Sequence, residues 1–274
     1  MNDPRSLLRA ASLRANKKLG QHFLVDPNTL RIIVAAAELQ PEDTVLEIGA
    51  GTGALTAMLA ESSRHVMSVE IDERLRPLLE ESLIAHRNVD LIFADFLQLD
   101  FTRQLPPGPY LVVANLPYYI SNAILRRLLE ASRRPFRMVL TVQKEVAERI
   151  LAPVGQLSVL ALSAQYYGQT RLVHRLNSTV FWPPPQVESA VIRLDESATP
   201  RLPRAAEIWL FQVIRAGFSQ KRKQLRNSLA NGLGLGKDAA TRLLERAQIE
   251  PERRAETLQL SEWIQLAQIA RQPP

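Results

Sequence analysis

The chain has 274 residues, of which 46% are hydrophobic and 23% charged, a composition typical of a globular protein and unlike that of collagen, mucins or disordered tails. The absence of cysteine excludes disulfides, Cys-ligated zinc or iron–sulfur sites, and thiolate nucleophiles. The net charge is +6. Residues 191–274 hold 14 Lys and Arg against 9 Asp and Glu, whereas residues 1–190 hold 20 against 19, so the positive charge is concentrated in the C-terminal third. That third would suit an anionic partner such as nucleic acid or a membrane surface.

Residues 1–18 carry five Lys or Arg and one acid. This pattern favours a basic arm over a mitochondrial transit peptide, because a sequence motif begins as early as Leu19. The longest clean apolar run, residues 32–37, is far shorter than the roughly 20 residues that span a bilayer, so a transmembrane protein is excluded.

The first 150 residues predict alternating helices and strands. Residues 26–39 read as a helix capped by Asp26, with Pro27 in its first turn. Short apolar or β-branched runs then predict strands, with helical sequence between them, at residues 44–48, 65–71, 89–93 and 110–115. This alternation predicts an α/β fold with a mainly parallel sheet and helices on both faces, in which ligands bind at the carboxyl ends of the strands.

The rest of the chain predicts a closing edge of the sheet and a helical domain. Residues 138–167 read as a strand and two helices broken around 152–155, and residues 171–176 and 187–194 as strands of an antiparallel edge. Residues 197–204 read as a linker. Helices are predicted at residues 205–218, 220–231, 238–247 and 261–271. We therefore expect one domain over residues 1–200 and a small helical domain over residues 201–274.

Three glycines follow the first strand, at Gly49, Gly51 and Gly53. Glycine there allows a tight turn and a close approach of the backbone to a ligand. The spacing is G-x-G-x-G with Glu47 before it, and not the G-x-G-x-x-G of dinucleotide-binding proteins. This argues against a nicotinamide dehydrogenase, although a glycine-rich turn can also be purely structural.

Acidic residues end the next two strands. Glu70 could accept hydrogen bonds from both hydroxyls of a ribose, and Asp95 could accept one from an adenine amino group. Either acid alone is more often a solvated loop residue. Together with the glycine turn they predict a nucleoside ligand, which NAD and S-adenosylmethionine would both satisfy.

The fourth strand ends in Asn115-Leu116-Pro117-Tyr118. The Asn115 amide oxygen and the Leu116 carbonyl can both accept hydrogen bonds, and two acceptors at one point suit an exocyclic amine whose lone pair is otherwise delocalised into its ring. Tyr118 can stack on the base. In isolation this motif would be explained as a turn that begins at proline. Because it follows three strand ends that suit a cofactor, the motif favours a catalytic role.

At this point the sequence closely resembles the KsgA-type small-subunit ribosomal RNA adenine dimethyltransferases, relatives of the eukaryotic Dim1 and the antibiotic-resistance Erm methyltransferases. The resemblance covers nearly the whole chain. Besides the four strand-end motifs, it is carried by residues 17–24, 143–147, 181–185, 187–189 and 218–227. The last of these segments favours the small-subunit enzymes over Erm.

The resemblance implies a Rossmann-like class I methyltransferase domain that uses S-adenosylmethionine. It implies that the cofactor is bound by Gln21, His22, Leu24, Gly49, Gly51, Glu70, Asp95 and Asn115. The target adenine would lie between Tyr118 and Phe181, with Asn115, Leu116 and Pro117 at its amine. Two positions depart from the family: His22 stands where Asn is usual, and Gln186 where Lys is common.

The implied reaction is formation of N6,N6-dimethyladenosine at two adjacent adenosines near the 3′ end of 16S rRNA, in small-subunit biogenesis. The alternatives are an Erm-type 23S rRNA methyltransferase and a non-catalytic RNA-binding assembly factor of the same fold. We expect a cytoplasmic monomer that binds the small-subunit precursor and no membrane. The four histidines lack metal-ligand spacing, so no metal is expected.

A basic cluster lies in the small domain, at Lys221, Arg222, Lys223 and Arg226. On a helix Arg222 and Arg226 would be four residues apart and share a face, so both could meet one phosphate track. We expect this cluster to bind rRNA phosphates; otherwise it is a solvated helix face.

Overall fold

The computed structural model describes Ser6 and residues 13–197 and 202–271. It divides into two compact units: a sheet unit, Met1–Ala147 with Gln169–Glu196, and a helical unit, Glu148–Gly168 with Ser197–Pro274. Most of the expected basic arm, and the expected boundary between residues 200 and 201, lie outside the described residues. The two units differ from the two expected domains in one respect: residues 148–168, which we expected in the first domain, group with the C-terminal helices.

The strands and helices follow the predicted order closely. In chain order the strands are β1 (Phe23–Leu24), β2 (Thr44–Ile48), β3 (His65–Glu70), β4 (Val89–Phe93), β5 (Leu111–Asn115), β6 (Arg137–Gln143), β7 (Gly168–Leu176), β8 (Phe181–Trp182) and β9 (Ser189–Glu196). The helices are α1 (Pro27–Ala37), α2 (Ala54–Ser62), α3 (Arg76–Ser82), α4 (Phe101–Gln104), α5 (Ser121–Glu130), α6 (Lys144–Ile150), α7 (Val159–Tyr167), α8 (Arg204–Gly217), α9 (Leu225–Leu233), α10 (Lys237–Arg246) and α11 (Leu260–Ala270). Among the described residues, no helix combines the length and apolar character needed to cross a membrane.

A seven-stranded sheet forms the centre of the sheet unit, in the order β4-β3-β2-β5-β6-β9-β7. Neighbours from β4 to β6 pair in parallel, and β9 pairs antiparallel with β6, which confirms the mainly parallel sheet with an antiparallel edge. The reversal in strand order around β2 and β5 opens a crevice at their carboxyl ends, where such sheets bind ligands.

Helix α1 begins where the sequence indicates. The Asp26 carboxylate accepts a hydrogen bond from the Thr29 N–H at 2.7 Å, and Pro27 occupies the first turn, where its missing N–H costs nothing. The apolar face of α1 packs against β5, β6 and β9. Ile33 on that face is 0% exposed and belongs to the main hydrophobic core together with Val45, Leu59 and Val113.

A two-stranded sheet that the sequence did not predict ties the N-terminal segment to the Pro-rich segment. Strand β1 pairs antiparallel with β8, Phe23 opposite Trp182 and Leu24 opposite Phe181. The Val25 N–H continues the ladder to the Val180 carbonyl at 2.9 Å. Because β1 and β8 have only two residues each, the pair depends on the apolar packing of its side chains rather than on propensity.

The helical unit has its own core. The Trp263 side chain of α11 is 0% exposed and stacks on Phe218, with ring centroids 5.7 Å apart. Glu207 of α8 is 3% exposed and accepts from the Tyr167 hydroxyl at 3.2 Å, which attaches α7 to α8. The Trp209 indole N–H donates to the Ala267 carbonyl at 2.9 Å and joins α8 to α11.

One predicted helix is wrong at its start. Residues 218–224 form turns, and α9 begins at Leu225 rather than at residue 220. The N-cap is Gln224, whose extended backbone (φ −62°, ψ 149°) cannot continue a helix from the turn before it. Three cations of the basic cluster, Lys221, Arg222 and Lys223, therefore lie in a turn, and the helical spacing that we expected between Arg222 and Arg226 does not exist.

The close crossing of α8 and α11 gives a stability prediction. A methyl group at Gly217 would overlap the buried Trp263 ring and come within 3.2 Å of Leu225 Cδ1. We expect Gly217→Ala to destabilise the fold by about 1–3 kcal/mol, as overpacking of a filled core does. Gly236→Ala is the matched control, because nothing lies within 4 Å of its added methyl group. Denaturant unfolding of both variants measures the difference, and equal stabilities would contradict this account of the crossing.

Candidate active site

A cavity opens at the carboxyl ends of β2, β3, β4 and β5 and is lined entirely by the sheet unit. Ten of the residues singled out in the sequence line it: Gln21, His22, Gly49, Gly51, Glu70, Asp95, Asn115, Leu116, Pro117 and Tyr118. These residues come from five separate segments of the chain. Four of the segments end or follow strands of the parallel sheet, which gathers them at one edge, and the fifth, Gln21 with His22, belongs to the N-terminal segment before β1.

The glycine turn forms one wall of the cavity. Gly49 and Gly51 have φ angles of +86° and +58°, in the left-handed region that favours glycine. A Cβ at Gly51 would lie 3.2 Å from the Phe23 ring, so β1 could not pack this closely against a larger residue. The turn thus exposes backbone, and not side chains, toward the cavity.

Glu70, the last residue of β3, is held in place by backbone donors. Its Oε1 accepts from the Ile71 and Asp72 N–H groups at 2.9 Å each, and its Oε2 accepts from the Gly51 N–H at 2.9 Å. These bonds use three of about four acceptor sites of a carboxylate. Burial raises the pKa of Glu70 above its usual range, although the three N–H groups act in the opposite direction. One acceptor site remains for a hydroxyl in the cavity.

Asp95 follows β4 and keeps one oxygen for a ligand. Its Oδ1 accepts from the Leu97 N–H at 2.9 Å, a turn that fixes the side chain. Phe96 beside it is 4% exposed and also lines the cavity. An acceptor beside an aromatic ring suits the edge and the face of a nucleobase.

Gln21 lines the cavity, but its side chain is bound by the protein itself. Its Oε1 accepts from the Asn16 N–H at 2.7 Å, and its Nε2 donates to Asp72 Oδ2 at 2.8 Å. Asp72 also pairs with Arg74, whose guanidinium lowers the pKa of that carboxyl. Gln21 therefore fastens the N-terminal segment over the end of β3.

Asn115 ends β5 and has a fixed orientation. Its Nδ2 donates to the His22 carbonyl at 3.0 Å. Its Oδ1 is buried and has no hydrogen-bond partner among the described residues. Leaving a buried acceptor unpaired costs about 1–3 kcal/mol, so an unpaired oxygen beside a cavity indicates a place for a donor from a ligand.

Tyr118 and His22 both line the cavity and contact each other. The two rings stack, with centroids 5.4 Å apart and planes 25° apart, and the Tyr118 hydroxyl bonds to Ser189 Oγ. The His22 ring is engaged elsewhere, since its Nδ1 lies 2.6 Å from the Pro183 carbonyl. The backbone of His22 thus serves Asn115, while its side chain supports Tyr118.

Two residues expected in the site lie outside this cavity. Phe181 is 1% exposed and Leu24 is 6% exposed, and both belong to the hydrophobic core as neighbours in the β1–β8 pair. In this arrangement Phe181 cannot stack on a base opposite Tyr118. Side chains alternate between the two faces of a strand, so the sequence of two such short strands is compatible with Phe181 and Leu24 facing either the cavity or the core. Only the tertiary fold decides that they face the core.

The basic cluster lies in the helical unit. Lys221, Arg222 and Lys223 are exposed, whereas Arg226 pairs with Glu252 at 3.0 Å. The described residues contain no group of three or more His, Asp or Glu side chains that could hold a metal ion.

Sequence reasoning missed much of the lining and its supports. The cavity also includes Leu19, Gly20, Phe23, Ile48, Val69, Ile71, Ala94, Phe96, Ile120 and Ile124. Most of these residues adjoin a predicted site residue in the sequence, which is the signal that could have found them. Asp72, which holds Gln21, adjoins no predicted site residue, and Ser189, which holds Tyr118, is marked only by its place in the segment 187–189 that carries the family resemblance.

Glu47 lies beneath the glycine turn and is 0% exposed. Its Oε2 accepts from the hydroxyls of Thr56 and Ser68 at 2.6 Å each, while its Oε1 has no partner among the described residues. Burial raises the pKa of Glu47 to about 8, above the ordinary 4.5. At neutral pH the carboxyl is therefore mostly protonated.

Comparison with known proteins identifies close relatives over nearly the full length. A family model described as ribosomal RNA adenine dimethylase matches residues 12–267. A ribosomal RNA small subunit methyltransferase A from Dehalococcoides mccartyi strain CBDB1 is 43% identical over 97% of this chain and 92% of that protein. The protein of the same name from Geobacillus sp. strain WCH70 is 41% identical, covering 96% of this chain and 94% of its own.

Solved structures with this fold are also similar over most of the chain. A dimethyladenosine transferase from Plasmodium falciparum superposes with a TM-score of 0.78 and 26% identity, covering 89% of this chain and 96% of the other. The 23S rRNA methyltransferase ErmE superposes with a TM-score of 0.70 and 30% identity, covering 91% and 100%. Both likenesses extend across the whole α/β fold and not only its sheet.

The raised pKa of Glu47 predicts a pH-dependent stability. Between pH 4.5 and about 8 the folded state keeps a proton that the unfolded chain releases, so the free energy of unfolding should fall as the pH rises through this window. The slope from this group is at most about 1.4 kcal/mol per pH unit. Glu47→Gln stays neutral, and its stability relative to the wild type should therefore grow up to about pH 8. Urea unfolding of both proteins from pH 5 to 9 tests this, and a constant difference would refute it.

Proposed function

Because the chain belongs to the ribosomal RNA adenine dimethylase family, we propose that this cavity holds S-adenosylmethionine beside one adenosine of small-subunit ribosomal RNA. The protein is an S-adenosylmethionine-dependent rRNA adenine N6,N6-dimethyltransferase that acts on 16S rRNA. We assign it the two adjacent adenosines near the 3′ end, which the family resemblance implies.

The observation that carries this assignment is the free Asn115 oxygen. A target amine presents hydrogens, and Asn115 Oδ1 is a buried acceptor whose orientation is set by the bond from Nδ2 to His22. The amine of adenine is a poor nucleophile because its lone pair is delocalised into the ring. Acceptors that hold its hydrogens reorient the lone pair and stabilise the positive charge that develops on nitrogen.

The residues at the strand ends fit S-adenosylmethionine. The backbone of Gly49 and Gly51 leaves room that a Cβ would narrow, the remaining acceptor site of Glu70 suits a ribose hydroxyl, and Asp95 with Phe96 suits an adenine. When bound, S-adenosylmethionine supplies an electrophilic methyl group on a sulfonium. We propose that Gln21 and His22 act at the methionine end, Gln21 by fastening the segment and His22 through its backbone.

The protein's contribution to the reaction is positioning. Asn115 Oδ1 and the Leu116 carbonyl hold the hydrogens of the amine, and Tyr118 holds the plane of the base through its ring, which His22 and Ser189 keep in place. A neutral amine needs no strong base. As the N–C bond forms, the S–C bond of the sulfonium would break to leave a thioether, and the resulting acidic ammonium would then lose a proton to water. Effective concentration and alignment therefore supply most of the acceleration.

The same geometry supports a second methyl transfer. After one transfer the amine keeps one hydrogen, and one of the two acceptors still orients it. The base must first leave its stack, which a hairpin loop permits at lower cost than a duplex.

The two alternatives are less well supported. Identity to the small-subunit relatives reaches 43%, against 30% to ErmE, which favours small-subunit over 23S rRNA. A non-catalytic assembly factor would not need an oriented, unpaired Asn115 oxygen.

We also propose that the enzyme acts as a cytoplasmic monomer. The sheet unit supplies every residue that lines the cavity, so no second copy is needed to complete it. Bacterial ribosomal subunits, which provide its substrate, assemble in the cytoplasm.

Mass spectrometry of nuclease-digested rRNA tests the function directly. We expect exhaustive reaction of the enzyme with unmethylated small subunits to give N6,N6-dimethyladenosine at two adjacent positions of 16S rRNA. Monomethyladenosine alone, or modification of 23S rRNA instead, would overturn the proposal.

Removal of the Asn115 amide should impair chemistry and spare the fold. We expect Asn115→Ala to lower kcat by about 100-fold or more, the usual effect of losing one preorganised polar group. Asn122→Ala in α5 is the control, because Asn122 is exposed. Single-turnover methylation and thermal unfolding of both variants give the result, and near-wild-type turnover of Asn115→Ala would remove Asn115 from the mechanism.

The exposed cations of the helical unit should bind rRNA phosphates. Replacing Lys221, Arg222 and Lys223 by Gln should lower the salt dependence of RNA binding by roughly two units of slope, if each cation meets one phosphate. Lys237→Gln with Arg242→Gln, in α10, gives a charge-loss control in the same unit. Titrations from low to moderate salt measure the slope, and a wild-type slope in the triple variant would mean that the cluster is only a solvated surface.

A further inference from the structure

Two exposed lysines lie directly beside the mouth of the cavity. Lys17 and Lys18 occupy a 3-10 turn that continues into Leu19 and Gly20, which line the cavity. Residues 13–25 contain no acid, and among the described residues neither lysine forms an ion pair. This face of the turn therefore carries two exposed positive charges next to the site.

The backbone of the turn is held by hydrogen bonds, although its lysine side chains are exposed. Asn16 Oδ1 accepts from the Lys18 N–H at 3.0 Å, and the Asn16 N–H donates to Gln21 Oε1 at 2.7 Å. Gln21 in turn bonds to Asp72 at the end of β3. These hydrogen bonds connect the lysine backbones to the end of β3 beside the cavity.

An exposed aromatic side chain lies against the same turn. The Tyr119 side chain is 54% exposed, and its ring packs on Gly20, where a Cβ would lie 3.1 Å from Tyr119 Cδ1. Burial, with the nearby negative charges of Asp95 and Glu70, raises the pKa of the Tyr119 hydroxyl, so the ring carries no charge. An exposed aromatic face beside unpaired cations is the combination that binds single-stranded nucleic acid.

We propose that Lys17, Lys18 and Tyr119 form a docking surface for the single-stranded RNA that flanks the target adenosine. A base next to the target stacks on Tyr119, and Lys17 and Lys18 hold the adjoining phosphates. This inference rests on the proposed function, because it takes the strand to be the one whose adenosine enters the cavity. The proposed docking surface is separate from the basic cluster of the helical unit, because its residues adjoin the cavity of the sheet unit.

Binding of a labelled RNA hairpin, with two adjacent adenosines in its loop, tests the surface without methylation. We expect Lys17→Gln with Lys18→Gln to lower the salt dependence by roughly 1 to 1.5 units of slope, as for two phosphates on a single strand. Tyr119→Ala should weaken binding about tenfold and Tyr119→Phe much less, because Phe retains the stacking face. In methylation assays the same variants should raise KM for RNA more than they lower kcat.

Matched controls separate this surface from its alternatives. Arg64→Gln with Arg87→Gln removes two exposed cations before β3 and β4, at the opposite edge of the sheet, and should leave the slope unchanged. Calorimetry with S-adenosylhomocysteine should give wild-type affinity for every variant. A wild-type slope in the double lysine variant would overturn the proposal, and so would a loss of S-adenosylhomocysteine affinity in Tyr119→Ala, which would place Tyr119 over the cofactor. Failure of the wild type to methylate rRNA would instead count against the proposed function.

Discussion

The hydrogen bond from the Asn115 amide nitrogen to the His22 carbonyl, 3.0 Å long, fixes the orientation of a side chain that lines the cavity. It also joins the end of β5 to the N-terminal segment, which closes one side of the cavity. If the amide turned over, its oxygen would face the His22 carbonyl oxygen and this hydrogen bond would be lost. The chemistry of the site therefore depends on the N-terminal segment being in place, because that segment supplies the carbonyl that holds the amide.

Two buried carboxyl groups of the site, those of Glu70 and Glu47, have different hydrogen-bond donors. Glu70 accepts from three backbone N–H groups, whereas Glu47 accepts from two hydroxyls and has one oxygen without a partner in the described part of the chain. Burial raises both pKa values, and that of Glu47 reaches about 8. A neutral Glu47 lets the glycine turn pack closely over it without an uncompensated charge in the core.

Much of this site could be predicted from the sequence, because parallel strands bring their carboxyl ends to one edge whatever their order. That rule is enough to group Gly49, Glu70, Asp95 and Asn115 around one ligand. It says nothing about segments outside the main sheet. The inward direction of Phe181 depends on the β1–β8 pair, which has too few residues for a periodic pattern. The turn at residues 221–223 was likewise missed, since a run of cations and Gln is compatible with a helix.

The pairing of β1 with β8 joins positions separated by more than half of the chain. Closing so long a loop costs conformational entropy that two short strands cannot offset alone, so we expect the pair to form after the intervening strands have assembled. We therefore expect the cavity to be among the last features completed during folding. On this account, the central sheet forms first and Asn115 is oriented only when the N-terminal segment docks.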